Sequence, residues 1–180
     1  MLDFTQNYFE LFGLPVAFDV DGQALAERYR ELHRVVHPDR YASAGERERR
    51  LSMQGATLLN EAFQTLKDPL RRAQYLLRLR GAPEAPAGGQ VAPDFLMQQM
   101  ALREELAEIR GGAEPLEAAG AFLARVRALV VAEVGALSRH FAARGPDALV
   151  HAQEAAARLQ FLRRLQEEAE ALEADLEDVP

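Results

Sequence analysis

Apolar residues return every three or four positions along most of the chain and nowhere alternate with polar ones over the length of a strand. The pattern therefore predicts helices throughout. From Gln23 to Val36, Leu25, Tyr29, Leu32 and Val36 recur at spacings of four, three and four, which places them on one stripe facing a core. Pro38 bars His37 from the α region and stops this helix. Ser43 followed by Glu46 reads as a capping box for the next helix, from Arg47 to Leu66, with Leu51, Leu58, Leu59, Ala62, Phe63 and Leu66 on its buried side. Upstream, a short helix over residues 5–12 ends at Gly13, and Pro15 prevents its continuation. Downstream, Asp68 and Pro69 fit the N-cap and first position of a fourth helix through Leu79.

Periodicity lapses over residues 81–94, which hold three prolines and three glycines, so the boundary between two domains is placed there. The expected division is 1–80, a linker over 81–94, and 95–180. Three longer helices follow, beginning near Asp94, Pro115 and Pro146. The last two prolines come just after Gly111-Gly112 and Gly145, the expected order of helix end and helix start. Ala119, Leu123, Val126, Val130, Val134, Leu137 and Phe141 form one apolar seam, and Leu162, Leu165, Ala169, Leu172 and Leu176 form another. Such seams predict antiparallel neighbours in a bundle. The fold class is thus all-α, an N-terminal helical hairpin followed by a C-terminal three-helix bundle.

The helix over 94–110 carries two apolar groups. Phe95, Leu102, Leu106 and Ile109 fall within about 60° of one another on the helical wheel and must face the bundle core. Leu96, Met97 and Met100, with Glu104 and Glu108, lie roughly 170° from that direction. A core-facing helix has no structural need for apolar side chains there, and methionines bordered by carboxylates have the make-up of a partner site.

Cysteine is absent, so no disulfide, thiolate nucleophile or cysteine-ligated zinc or cluster site can belong to the chain itself. The net charge of -7 is uneven: residues 1–80 hold 12 basic and 11 acidic side chains, residues 81–180 hold 9 and 17. This sign disfavours non-specific nucleic-acid binding while leaving the first half able to carry a local basic face. No stretch reaches the roughly 20 apolar residues of a membrane span, and the start lacks the features of a signal or transit peptide, so a cytoplasmic location is expected.

The remaining chemistry gathers at His37-Pro38-Asp39, a proline-bent loop between two amphipathic helices, preceded by Arg30 and Arg34 one turn apart. Taken with Tyr8-Phe9-Glu10-Leu11-Phe12-Gly13-Leu14-Pro15, with Asn60-Glu61-Ala62-Phe63-Gln64-Thr65-Leu66 and Asp68-Pro69, this loop resembles the J-domain of HscB proteins. The likeness continues past the linker through Phe95-Leu96-Met97, Leu102-Arg103-Glu104-Glu105-Leu106 and Arg158-Leu159-Gln160-Phe161-Leu162. It covers nearly the whole chain, in the bacterial form without an N-terminal cysteine zinc module.

The resemblance implies a non-enzymatic co-chaperone of iron–sulfur cluster assembly, with no catalytic residue, cofactor or resident metal. Its loop, His37, Pro38 and Asp39, with Arg30 and Arg34, would engage the ATPase of an HscA-like DnaK-class chaperone and raise its hydrolysis rate. Leu96, Met97, Met100, Glu104, Glu108 and Phe161 would bind an IscU-type scaffold. Two departures stand out: Val35 and Val36 occupy positions where many general J-domains have a basic and an aromatic residue, and Ala101 stands where relatives have an acidic one.

Three alternatives follow from the same residues. A general J-domain co-chaperone for unfolded clients is disfavoured by the lack of a Gly/Phe-rich stretch, a zinc module and a β-rich client domain. A metal-dependent hydrolase would use His33, His37 and Asp39, but no Glu sits between the histidines in the usual pattern. A purely structural coiled-coil oligomer is the third. His140 and His151 stand apart in the sequence, with surface or interhelical packing as their expected roles.

Overall fold

A computed structural model describes residues 5–36, 45–82, 93–145 and 147–178. Among them there is no strand, and the chain divides into two compact units, Met1–Arg80 and Gly81–Pro180.

In the first unit, α1 (Tyr8–Leu11), α2 (Gly22–Val36), α3 (Glu46–Lys67) and α4 (Pro69–Leu79) follow in order. Asn7 starts α1 through a full capping box: its side chain accepts from the Phe9 and Glu10 amides, and the Glu10 carboxylate accepts from the Asn7 amide at 2.9 Å. The helix ends at Phe12, and Gly13 takes φ +65°, the left-handed turn that glycine adopts without strain. Asp21 caps α2 by accepting from the amides of Gln23 and Ala24. Asp68 does the same for α4 through the Arg71 amide at 2.9 Å, with Pro69 in the first helical position, as the sequence predicts.

The hairpin α2–α3 is antiparallel, as two contacts show. The Tyr29 ring stacks on Phe63 at 4.2 Å and its hydroxyl lies 2.7 Å from Asn60, while Val36, seven residues on, meets Ser52. Leu25 and Val36 are buried, and Tyr29 and Leu32 partly so, in accord with the predicted stripe. Two expectations for α3 need correction. The helix begins at Glu46 with Gly45 as its N-cap, so Glu46 stands in the first helical position, not the third, and cannot close a capping box. It pairs with Arg50 instead, and Ser43 lies outside the described residues. The buried face consists of Ser52, Gly55, Leu59, Ala62, Thr65 and Leu66, while Leu51, Leu58 and Phe63 are only half-buried. The small residues turn toward the neighbouring helices, where they permit close approach.

Helices α1 and α4 complete this core. Tyr8 stacks on Tyr75 at 4.3 Å, and the Tyr75 hydroxyl accepts from the Tyr8 amide. Arg72, half-buried, lays its guanidinium over Phe18 and donates to the Leu66 carbonyl at the end of α3.

The second unit holds α5 (Pro93–Ile109), α6 (Pro115–Ala142) and α7 (Ala148–Glu177). Cross-helix pairs give their directions. Arg127 with Glu170 and His140 with His151 fix α6 and α7 as antiparallel. Phe95 with Phe161, Arg103 with Glu168 and Arg110 with Asp175 advance together along both helices, so α5 runs parallel to α7. The bundle is therefore up-down-up, held by Leu102, Ile109, Ala119, Phe122, Leu123, Val126, Leu162, Leu165, Ala169 and Leu172. Val130 and Leu176 of the predicted seams are partly buried at its edge, whereas Phe122, absent from those seams, is fully buried. The helix α7 starts two residues beyond Pro146, which lies outside the described residues.

Candidate functional site

The loop residues His37, Pro38 and Asp39 lie outside the described residues, so the geometry bears on the helices that carry them. Arg30 and Arg34 are exposed on α2, one turn apart. Val35 is half-exposed, whereas Val36 turns inward and is buried. The last carbonyls of a helix have no amide of their own to accept from. That of Val36 receives a 2.7 Å hydrogen bond from the hydroxyl of Ser52, itself 6% exposed. The described end of α2 is thus tied across the hairpin. Sequence reasoning passed over Ser52 because a serine inside a helix carries no apolar signal. His33 packs its ring against Tyr29 at 5.4 Å. Among the described residues, no group of three or more histidine, cysteine or carboxylate side chains is placed to hold a metal ion; His37 and Asp39 are not among them.

On the bundle, the two faces of α5 separate as the wheel predicts. Phe95, Leu102 and Ile109 are buried and Leu106 is half-buried, while Leu96, Met97 and Met100 are 50%, 66% and 56% exposed. Glu104 and Glu108 are exposed beside them. These three apolar side chains have no part in the bundle core, and an apolar group of this kind on one helix face is the composition of a contact surface.

Phe161 is placed differently. It is half-buried on α7, its ring meeting Phe95 edge-to-face at 5.8 Å and 88°. The Arg103 guanidinium lies 5.7 Å above the Phe161 ring and 3.9 Å from Glu168, and Arg158 lies over Phe95. Arg103 falls seven residues after Leu96, on the same flank of α5, and so stands between the exposed apolar group and Phe161. The wheel of α5 could have indicated its side. Only the packing of α7 shows what it covers.

At the other end of the α6–α7 hairpin, His140 and His151, distant in sequence, bring their rings to 5.5 Å, an interhelical packing role. Burial raises the Glu133 carboxyl above its ordinary value, against the opposing charges of Arg158, His140 and Arg139.

A helical hairpin with an exposed basic pair on its first long helix, followed by a three-helix bundle with an exposed apolar group on one face, defines a two-unit all-helical protein among the described residues. Comparison with known proteins gives its family. The family model described as the HSCB C-terminal oligomerisation domain matches residues 91–170. The co-chaperone protein HscB homolog of Vibrio cholerae serotype O1 (strain ATCC 39541) is 43% identical over 177 residues, 94% of this chain and 98% of the relative. That of Shewanella sp. (strain ANA-3) is 41% identical over 180 residues, 96% of this chain and 99% of the relative. Among solved structures, the chaperone HscB from Vibrio cholerae superposes with a TM-score of 0.85 at 41% identity, covering 95% of this chain and 99% of that one. The human co-chaperone protein HscB gives 0.83 at 30% identity, covering 94% of this chain and 83% of that one.

The chain belongs to the HscB family of co-chaperones: an all-α protein with an N-terminal J-domain and a C-terminal helical bundle, without a zinc-binding cysteine module. No helix among the described residues is long and apolar enough to cross a membrane.

Proposed function

We propose that this protein is a cytoplasmic, non-enzymatic adaptor that brings an IscU-type iron–sulfur scaffold to an HscA-like DnaK-class chaperone and stimulates that chaperone's ATPase. The J-domain, residues 1–80, acts through His37, Pro38 and Asp39. Asp39 offers a carboxylate to an arginine of the chaperone, a charge-assisted contact that a neutral amide replaces only in part. Arg30 and Arg34 meet an acidic chaperone surface and speed the encounter. The bundle, residues 95–180, holds the scaffold on Leu96, Met97 and Met100, with Glu104, Glu108 and Phe161 around them. A linker over 81–94 joins the two sites, so a scaffold held on one is at high local concentration for a chaperone held on the other.

The observation that carries this reading is α5 itself, a helix with Phe95 and Leu102 at 5% and 8% exposure on one side and Met97 at 66% on the other. The second side takes no part in the core of the bundle. The test is single-turnover ATP hydrolysis by the chaperone with this protein and the scaffold, singly and together. Asp39→Asn or His37→Gln is expected to abolish stimulation with scaffold binding intact. Simultaneous Leu96→Ala, Met97→Ala and Met100→Ala is expected to weaken scaffold binding while preserving helicity and scaffold-independent stimulation. Full stimulation by Asp39→Asn, or unchanged scaffold affinity in the triple variant, overturns the corresponding half.

A further inference from the structure

Helices α5 and α7 run parallel, so their C-termini lie with the N-terminus of α6 at one end of the bundle. That end is acidic: residues 105–125 and 173–178 hold eight of the 17 carboxylates of residues 81–180 but two of the nine basic side chains, Arg110 and Arg125. Both arginines are engaged, with Asp175 at 2.8 Å and with Glu105. Glu108, Glu114 and Glu117 are exposed and have no ion pair among the described residues. The fold gains little from several of these charges. Neither α5 nor α7 has a basic residue in its last turn, where the negative end of the helix dipole favours one. Glu108 and Glu177 stand there instead, and Glu114, the N-cap of α6, makes no capping hydrogen bond. Between α5 and α6 the same end is concave. A groove of about 510 Å³ is lined by the apolar Ile109, Ala118, Ala121 and Phe122 and by the carboxylates of Glu105, Glu108, Glu114 and Glu117. Glu105 marks its side of α5, roughly 130° round the helix from the centre of the group formed by Leu96, Met97 and Met100. Glu108 alone borders both surfaces.

We propose that the α5–α6 groove is a docking site for a basic, amphipathic segment of a partner protein, separate from the surface assigned to the scaffold. Lysine or arginine side chains of the segment pair with Glu108, Glu114 and Glu117, while its apolar side chains lie over Ala118 and Ala121, whose small size leaves the groove open. Charge selects this guest: an acidic segment is repelled, and a purely apolar one strips water from carboxylates without replacing it. A cationic guest also offsets the unfavourable placement of carboxylates at the ends of two parallel helices, a placement that the fold itself does not need. Neither the loop after α2 nor Leu96, Met97 and Met100 takes part.

The experiment titrates the full chain against a fluorescein-labelled peptide of about twelve residues with arginines on one helical face and leucines on the other, followed by fluorescence anisotropy at two salt concentrations. A second peptide carries serine in place of leucine. The variants are Glu114→Gln with Glu117→Gln, Ala121→Arg, and Glu154→Gln with Glu167→Gln, the last pair removing the same charge elsewhere on the bundle; circular dichroism checks that each is folded. The Glu114/Glu117 pair is expected to weaken binding about 5- to 10-fold and to reduce its salt dependence, Ala121→Arg to weaken it by about 10-fold or more, and the Glu154/Glu167 pair to change it by less than about two-fold. The serine peptide is expected to bind at least about 5-fold more weakly than the leucine peptide. Equal losses in the two paired variants reduce the effect to net charge, and equal binding of the two peptides or unchanged binding by Ala121→Arg removes the groove; each overturns the proposal. Self-association of the chain without peptide, abolished by Ala121→Arg in sedimentation, makes a second copy the occupant and overturns the basic partner. Affinity for the IscU-type scaffold is expected to be unchanged in Ala121→Arg, and a matching loss there merges the groove with the α5 surface and overturns its separateness.

Discussion

The Ser52 hydroxyl and the Val36 carbonyl, sixteen residues apart in sequence, meet at 2.7 Å inside the α2–α3 hairpin and close the end of α2 where the chain leaves it. Val36 is the last described residue of that helix, and its carbonyl accepts from a side chain of the neighbouring helix. A partner supplied from α3 satisfies it and fixes the two helices against each other at the root of the loop.

Ser52→Ala removes a buried hydrogen bond and is therefore expected to cost about 1–3 kcal/mol in urea denaturation. In ATPase assays the variant should need more protein for half-maximal stimulation while reaching the same plateau. Wild-type values in both measurements would mean that the bond contributes neither stability nor aim.

Gly13 turns the chain out of α1 at φ +65°, and a Cβ built there meets nothing within 4 Å. The cost of a side chain is thus one of backbone conformation alone. Gly13→Ala is expected to destabilise by roughly 1–2 kcal/mol, and Gly13→Asn by less, because asparagine tolerates the left-handed region. Thermal unfolding of the two variants separates these outcomes. Equal stability of both with wild type would show that the turn relaxes freely.

Phe122 is 1% exposed at the centre of the bundle core. Phe122→Ala should remove about 3–5 kcal/mol from the bundle, the combined loss of transfer energy and the cavity left behind. Chemical denaturation followed by circular dichroism checks the figure. A loss well below it would mean that α6 and α7 collapse into the space.

Glu133 supplies a pH test. Burial outweighs the nearby Arg158, His140 and Arg139 and raises its carboxyl in the folded chain, so folding favours the neutral form. That contribution is fully present below the unfolded value near about 4.3 and is lost as the pH rises through the folded one. Glu133→Gln stays neutral throughout. It is expected to unfold at a higher temperature than wild type at about pH 7 and at the same temperature at about pH 3.5, where both side chains are uncharged. A gain that persists at the lower pH would point to packing instead of charge.

How much the sequence disclosed depended on whether one helix sufficed to decide the question. Asp68-Pro69 is a local signal, and α4 starts where it directs. The two faces of α5 follow from spacing alone, and the exposed positions of Leu96, Met97 and Met100 agree with it. The buried side of α3 does not follow in this way. Ser52, Gly55 and Thr65 gain their burial from what the neighbouring helices place against them, and a hydroxyl becomes tolerable inside once a carbonyl such as that of Val36 is there to receive it. The same holds for Arg103 over Phe161 and for His140 beside His151. A helical wheel gives a direction around one axis, whereas these contacts also need the offset between two axes.

Because α5 is gripped by its own bundle along one side only, a guest on the other side completes its enclosure. Occupancy should slow amide hydrogen exchange along Pro93–Ile109 more than elsewhere in the bundle, since anything that binds the formed helix and not the frayed one draws the equilibrium toward order. On the proposed reading, the helix that receives the cargo is thereby also a gauge of whether cargo is aboard.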